Sequence, residues 1–349
     1  MYHVRRRVRP TKDTIIKTVG IAVAILLFFS VLLVLTDRIK KKATSSPSSS
    51  NGSTYVDPYE TEEVDPVIYF DGKPFVAKKN IETILFMGID SFGEAQQREG
   101  NRNDDQVDVL LLLVLNHEEK TYRVLEINRD TMTDIPKIGT TGDRLGTTKA
   151  QIALSHTYGS GLSDSCEYTC EALSNLLMGE NVQHYITLKL NSIAILNQSV
   201  GGVEVEVPYD MTVVDPTMKA GAKIRLDDKQ AETFIRARTA LDDEHSNNVT
   251  RMERQNIFLE NWKMKAKAKL EADASFVLEL IAELGDYMLT DMDLNRLSEL
   301  SEYVVEYENL GRVKLPGEYK KGEEFLEFYC DETVLKETVL DLFYEEKTK

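Results

Sequence analysis

With 349 residues the chain is long enough for one large or two ordinary domains with a sizeable core. Its 42% hydrophobic and 29% charged residues are those of a globular protein and argue against disorder. A formal net charge of -16 argues against general nucleic-acid binding, so a polyanionic ligand would need a focused basic site.

Residues 1–17 are basic, with Arg5, Arg6, Arg7, Arg9, Lys12 and Lys17 against Asp13 alone. The uncharged apolar run that follows, 18–36, is just long enough to cross a bilayer as a helix. A cleavable signal peptide is the competing reading. The length of the run and the absence of a small-x-small cleavage site favour an uncleaved anchor. Arg38, Lys40, Lys41 and Lys42 flank its far end, but the larger arginine cluster places the short tail inside and the remaining chain outside the membrane. Residues 37–79 read as an extracytoplasmic linker, centred on the Ser-, Pro- and acid-rich stretch 43–66, which has too little apolar surface to order itself.

The folded region is expected from about Asn80. Ile81–Asp90 reads as a buried strand ending on an aspartate. Apolar runs over 109–115 and 122–127 read as a hairpin, the second delivering Asn128-Arg129-Asp130 at its carboxyl end. Helices are predicted over 149–158, 164–178 (with Gly179 as C-cap) and 192–199, and strands over 185–190 and 203–207. This alternation points to an α/β fold with helices on both faces of a sheet. Further helices are predicted over 226–238, 251–274, 276–287, 294–307 and 331–346. Residues 80–274 form the expected catalytic domain, and 275–349 a C-terminal extension packed on the core. Cys166, Cys170 and Cys330 are too few for a disulfide framework, and the i, i+4 spacing of the first two suits buried thiols better than a bridge. No CxxC or HExxH pattern supports a structural zinc or haem site.

Against the acidic background, Arg236, Arg238, Arg251 and Arg254 gather within twenty-odd residues. Guanidinium forks suit phosphate oxygens, although surface ion pairs with Asp242, Asp243, Glu244 and Glu253 are the plainer reading of this stretch alone. Asp90, Asp108 and Asp130 stand at element ends. Such aspartates are often only turn formers, but they are also the hard oxygen ligands that magnesium or manganese prefers. The acids and Arg129, Arg236, Arg238 and Arg251 taken together suggest a metal–pyrophosphate site. His156 is expected to be structural.

These pieces resemble the LytR–CpsA–Psr proteins of Gram-positive cell envelopes over roughly residues 80–265. The matching pieces are Met87-Gly-Ile-Asp90, Asp108 opening a long apolar strand, Ile127-Asn-Arg129-Asp130-Thr131, Val200-Gly-Gly-Val203, Phe234-Ile-Arg236-Ala-Arg238 and Arg251-Met-Glu-Arg254-Gln255. The resemblance implies an α-β-α fold around a central mixed sheet, behind one transmembrane helix. It also implies transfer of a glycopolymer from a polyprenyl-pyrophosphate carrier to a peptidoglycan sugar hydroxyl, forming a phosphodiester outside the cell membrane. By the same resemblance Asp90 and Asp108 surround a magnesium ion, Arg129, Arg236, Arg238 and Arg251 grip the pyrophosphate, and Gln255 hydrogen-bonds it. Asp90 and Asp108 are candidates for the base or polarising group that the attacking hydroxyl needs, with Asp130 the weaker one. Aliphatic residues of 152–154 and 173–177 would line a lipid channel or simply be core.

Three departures stand out. Gln106-Val107 precede Asp108 where many members have Arg-Ser, Asn248 stands where an aspartate is frequent, and Asn128 replaces a usual proline. Arg102, on the same loop as Gln106, is the candidate substitute for the missing arginine. A non-catalytic polyprenyl-pyrophosphate receptor or regulator, a polyprenyl-pyrophosphate hydrolase and an adhesive surface protein are the alternative functions.

Overall fold

The computed structural model describes residues 66–237, 248–273, 276–322 and 326–347. The expectations for the tail, the anchor at 18–36 and the linker up to residue 65 lie outside the described residues. Among the described residues no helix is long and apolar enough to cross a membrane.

The fold begins earlier than Asn80. β1 (Ile68–Phe70) and β2 (Lys73–Ala77) form a hairpin turned at Asp71 and Gly72, both at positive φ (47° and 75°). β2 pairs on its other side with the final strand, β15 (Tyr344–Glu346), so the last part of the expected linker is structured. Both strands are short and none of their residues is fully buried, which is why composition alone did not separate them from a tether.

The central sheet has six strands. Its middle is built by β3 (Ile81–Ile89), β4 (Val107–Asn116) and β5 (Thr121–Ile127), antiparallel neighbours joined in sequence. β8 (His184–Lys189) lies parallel to β3, and β11 (Met288–Thr290) closes that edge antiparallel to β8. β12 (Glu308–Lys314) closes the other edge, parallel to β5. The expected α/β architecture with a mixed sheet holds. Residues 275–349, however, are integral to it, because they supply both edge strands.

β3 and β4 are buried on both faces, and strand alternation sorts their side chains into two cores. Ile84, Phe86, Leu111 and Leu113 pack with α2 (Ser192–Ser199), α3 (Asp228–Arg236), α4 (Asn248–Ala272), α5 (Phe276–Leu284) and α6 (Leu294–Glu306). Leu85, Met87, Leu110 and Leu112 pack with α1 (Ser163–Leu176) and α7 (Glu332–Phe343). Ile152, Leu173 and Leu177 belong to this second core, the plainer of their two readings.

The helix predicted over 149–158 is instead the end of a hairpin, β6 (Met132–Ile138) with β7 (Arg144–Gln151), followed by a 3-10 segment over 152–157. The Ser155 and Thr157 hydroxyls donate to the carbonyls of Ile152 and Leu154, both at 2.7 Å, which favours the tighter winding. Short pairs β9 (Glu204–Glu206)–β10 (Lys223–Arg225) and β13 (Gly317–Lys321)–β14 (Leu326–Cys330) complete the described chain.

Candidate active site

β3, β5 and β8 finish, and β4 starts, at the same end of the sheet, so the residues following three strands converge on the first turn of a fourth. Asp90 directly follows β3, and its amide donates to the Gln106 carbonyl at 2.9 Å. The β3–β4 register runs Gly88 with Val109 and then Ile89 with Val107, which leaves Asp108 as the extra residue of a bulge. A bulge re-aims a side chain that regular pleating would send elsewhere. Here the Asp108 carboxylate is fully buried (0% exposed) and ion-paired to Arg129, and its Oδ2 accepts no hydrogen bond. Arg129, just beyond β5, also donates from Nη2 to Gln106 Oε1 at 2.6 Å and lies 3.6 Å from Asp130. Gln106, one of the departures, therefore holds the arginine in place. Arg102, the proposed substitute, stacks over Tyr158 at 4.3 Å instead.

The second half of the site comes from α3. Its start is fixed by a capping box between Asp227 and Gln230, and Arg236 occupies its last turn, within the helix predicted over 226–238. Arg236 is 2% exposed, paired with Glu232, and 5.2 Å from the Phe92 ring. Burial pushes its pKa below the usual guanidinium value, while Glu232 and Asp90 oppose that shift. The site thus contains a pair, Arg236 beside Asp90, and a trio, Arg129 against Asp108 and Asp130. Arg238 lies outside the described residues. Arg251 and Gln255 fall within α4, but their side chains are likewise outside what is described.

Arg254, the fourth arginine of the sequence cluster and not among those expected to grip the pyrophosphate, takes a structural place. It is fully buried and donates to the carbonyls of Phe234 (2.6 Å) and Ala237 and to the Tyr209 hydroxyl. It ties down the carboxyl end of α3, where carbonyls lack intrahelical donors. Burial lowers its pKa to about 10. Arg254 therefore holds the turn that presents Arg236.

Two further groups, Lys189 and Tyr319, were not singled out from the sequence. Lys189, at the end of β8, is buried and bridges Asp105 Oδ2 and the Glu94 carbonyl, both at 3.2 Å, so it pins the loop that carries Phe92 and Gln106. His156 is buried with Nδ1 3.0 Å from the Asp105 carbonyl, and burial lowers its pKa to about 4, a structural role as expected. Tyr319, on β13, places its hydroxyl 2.8 Å from Asn128 Nδ2 and 3.4 Å from Asp130 Oδ2. A lone polar-to-polar contact of this kind leaves no sequence signal.

Among the described residues no cluster of three or more His, Cys, Asp or Glu is placed to hold a metal ion alone. The three cysteines are free, and burial raises all three thiol pKa values, so none is poised as a thiolate. A cleft of about 730 Å³ opens at the opposite end of the sheet, lined by Glu82, His117, Arg296 and Tyr307 among others. There Glu82 pairs with Arg296 and lies 2.7 Å from His117 Nε2.

The family model described as LytR_cpsA_psr matches residues 40–341. The chain belongs to that family. Among curated LytR_cpsA_psr relatives, the polyisoprenyl-teichoic acid–peptidoglycan teichoic acid transferase TagU of Enterococcus faecalis is 24% identical over 226 residues, 63% of this chain and 64% of the relative. An uncharacterized protein of Staphylococcus aureus is 24% identical over 226 residues, 62% of this chain and 51% of the relative. The chain thus spans about half to two thirds of the length of these relatives. Among solved structures, a Streptococcus agalactiae protein superposes with TM-score 0.55 at 18% identity, covering 75% of this chain and 87% of that one. Bacillus subtilis TagV superposes at 0.51 and 19% identity, covering 76% and 97%. At these identities the likeness is one of fold.

Proposed function

We propose that this protein transfers a glycopolymer from a polyprenyl-pyrophosphate carrier to a sugar hydroxyl of peptidoglycan, forming a phosphodiester. The observation that carries this reading is the convergence of two largely buried guanidiniums, Arg129 and Arg236, with Asp90, Asp108 and Asp130 at one end of the sheet. The family membership and the TagU relatives support it.

Desolvated arginines aimed at a pyrophosphate stabilise the charge that grows on the departing phosphate more than water would. The acceptor oxygen attacks the phosphorus bearing the polymer, the P–O bond to the other phosphate breaks, and polyprenyl phosphate leaves. The hydroxyl proton passes to a carboxylate. Asp108 is fully buried and paired to Arg129, whereas the Asp130 side chain is 27% exposed at the same cluster. Asp130 is thus better placed than Asp108 to accept the proton. Its bonds to Gln151 (3.2 Å) and Tyr319 fix its orientation.

Magnesium fits the donor chemistry. The Asp108 Oδ2 atom is buried without a hydrogen bond, and magnesium commonly takes one or two protein carboxylates and completes its shell with substrate phosphate oxygens. Asp90 and Asp108 would hold it, and when bound it would neutralise pyrophosphate charge. The fold lies outside the cell in this reading, tethered by the segment at 18–36.

The test is turnover of a synthetic polyprenyl-pyrophosphate glycan with peptidoglycan oligomers, with and without magnesium, beside Arg236→Ala and Asp108→Ala. Joining that requires magnesium and is abolished by both substitutions is expected. Donor binding with neither joined product nor released phosphate would replace the transferase by a receptor. Phosphate release without joining would make it a hydrolase.

A further inference from the structure

The hairpin of β13 and β14 has no part in the sheet, yet it is bound closely to the segment that delivers Arg129 and Asp130. The Phe328 amide donates to the Asp130 carbonyl at 3.0 Å, and Thr131 bridges to Phe328 in parallel fashion. The close approach inside the hairpin depends on Gly317, where a Cβ would overlap the Tyr329 carbonyl oxygen and the Phe328 ring. Tyr319 lies directly across from Phe328 in register, and the two rings meet edge to face at 5.1 Å. Tyr319 is therefore held at both ends, by Phe328 behind the ring and by Asn128 and Asp130 at the hydroxyl. Even so, it remains 50% exposed. A rigid, half-exposed aromatic ring with a satisfied polar tip presents apolar surface at little entropic cost.

We infer that Tyr319 is the platform on which the acceptor sugar of the transfer reaction stacks, with the paired strands β13 and β14 forming the acceptor side of the site. This rests on the transferase reading given above. A pyranose has an apolar C–H face and a rim of hydroxyls. Seated on the Tyr319 ring, it carries its rim toward Asp130, the carboxylate to which the phenol is bonded. The donor pyrophosphate is held by Arg129 and by Arg236, which stands beside Asp90, while Asp130 keeps its negative charge off the ring. The geometry thus separates a neutral glycan on the hairpin side from a polyanion on the arginines. The required acceptor is an uncharged, pyranose-faced glycan such as a run of N-acetylhexosamines.

The experiment uses the full chain in detergent with Tyr319→Ala and Tyr319→Phe. For the alanine variant the KM for peptidoglycan oligomers rises tenfold or more, while the KM for the polyprenyl-pyrophosphate donor stays within about twofold. The phenylalanine variant keeps the ring, and its acceptor KM stays within about threefold of the parent. An unchanged acceptor KM in the alanine variant overturns the inference. Equal rises in both KM values also overturn it, since they mark a structural defect of the hairpin. A phenylalanine variant as poor as alanine assigns the effect to the hydroxyl and likewise rejects the stacking platform. If the parent protein joins nothing, the transferase reading fails, and calorimetric titration with chitotetraose still decides the platform. Binding by the parent that is lost in Tyr319→Ala sustains it, and equal binding or no binding by either rejects it.

Discussion

Arg254→Ala separates a residue that grips substrate from one that holds the gripping residue. In the parent protein the guanidinium is fully buried and satisfies the carbonyls of Phe234 and Ala237 at the end of α3. Losing it orphans two buried acceptors, at about 1–3 kcal/mol each. The two lost methylenes add about 0.8 kcal/mol apiece. Burial holds the Arg254 pKa at about 10 against an ordinary 12.5, and relief of that desolvation returns about 3 kcal/mol at 1.36 kcal/mol per pH unit. The net destabilisation is about 3 kcal/mol, or a fall in Tm of roughly 6–12 °C for a body of this size. Thermal melting of the purified protein reads the first effect. Donor titration below the new Tm reads the second, a weakened grip because the turn carrying Arg236 has lost its tie. A variant that melts with the parent yet no longer binds donor would refute this, because Arg254 would then be contacting the substrate itself.

Arg129→Ala leaves the Asp108 carboxylate buried and unpaired, so stability falls by about 3–5 kcal/mol in denaturant titration. Adding Asp108→Asn to Arg129→Ala recovers most of that loss but no transfer activity. His156 has a folded pKa of about 4 against 6.5 when unfolded, so between those values the unfolded chain binds the extra proton. The stability it confers is complete above about pH 6.5 and is lost as pH falls toward 4, about 3 kcal/mol in all. His156→Phe is expected to flatten that part of the stability–pH curve. Gly202, at φ +88°, would bring a Cβ to 2.9 Å from both Arg225 Cγ and the Leu226 carbonyl, whereas Gly201, at φ +70°, has open space. Chemical denaturation of Gly202→Ala should therefore show a loss clearly larger than the roughly 1 kcal/mol of Gly201→Ala.

The interior strands were legible because burial on both faces demands continuous apolar runs, as in β3 and β4. The edge strands were not. β12 is almost wholly exposed and polar, and β11 spans three residues, so neither carries a period that a reader can count. Within the site, Asp90, Arg129, Asp130 and Arg236 were found because each closes an element whose pattern is strong. The fate of Asp108 depends on a bulge, and a one-residue slip in register has no signature in composition. Arg254 and Arg236 look alike in sequence. Only the depth of α4 against α3 makes the first a clamp and the second a site residue.

The pairing of β2 with β15 joins the first hairpin of the described body to its last strand, reinforced by contacts from Lys78 to the Phe343 carbonyl and from Lys73 to Glu346. Both edges of the sheet also wait for residues beyond 287. A growing chain that has delivered β3, β4, β5 and β8 therefore still has raw edges on either side, and its opening hairpin has no partner. Folding cannot proceed piecemeal from the amino terminus. The body closes in one late step, once the residues of both edge strands have emerged, and until then the unfinished sheet is the species that a holding factor or protease would encounter.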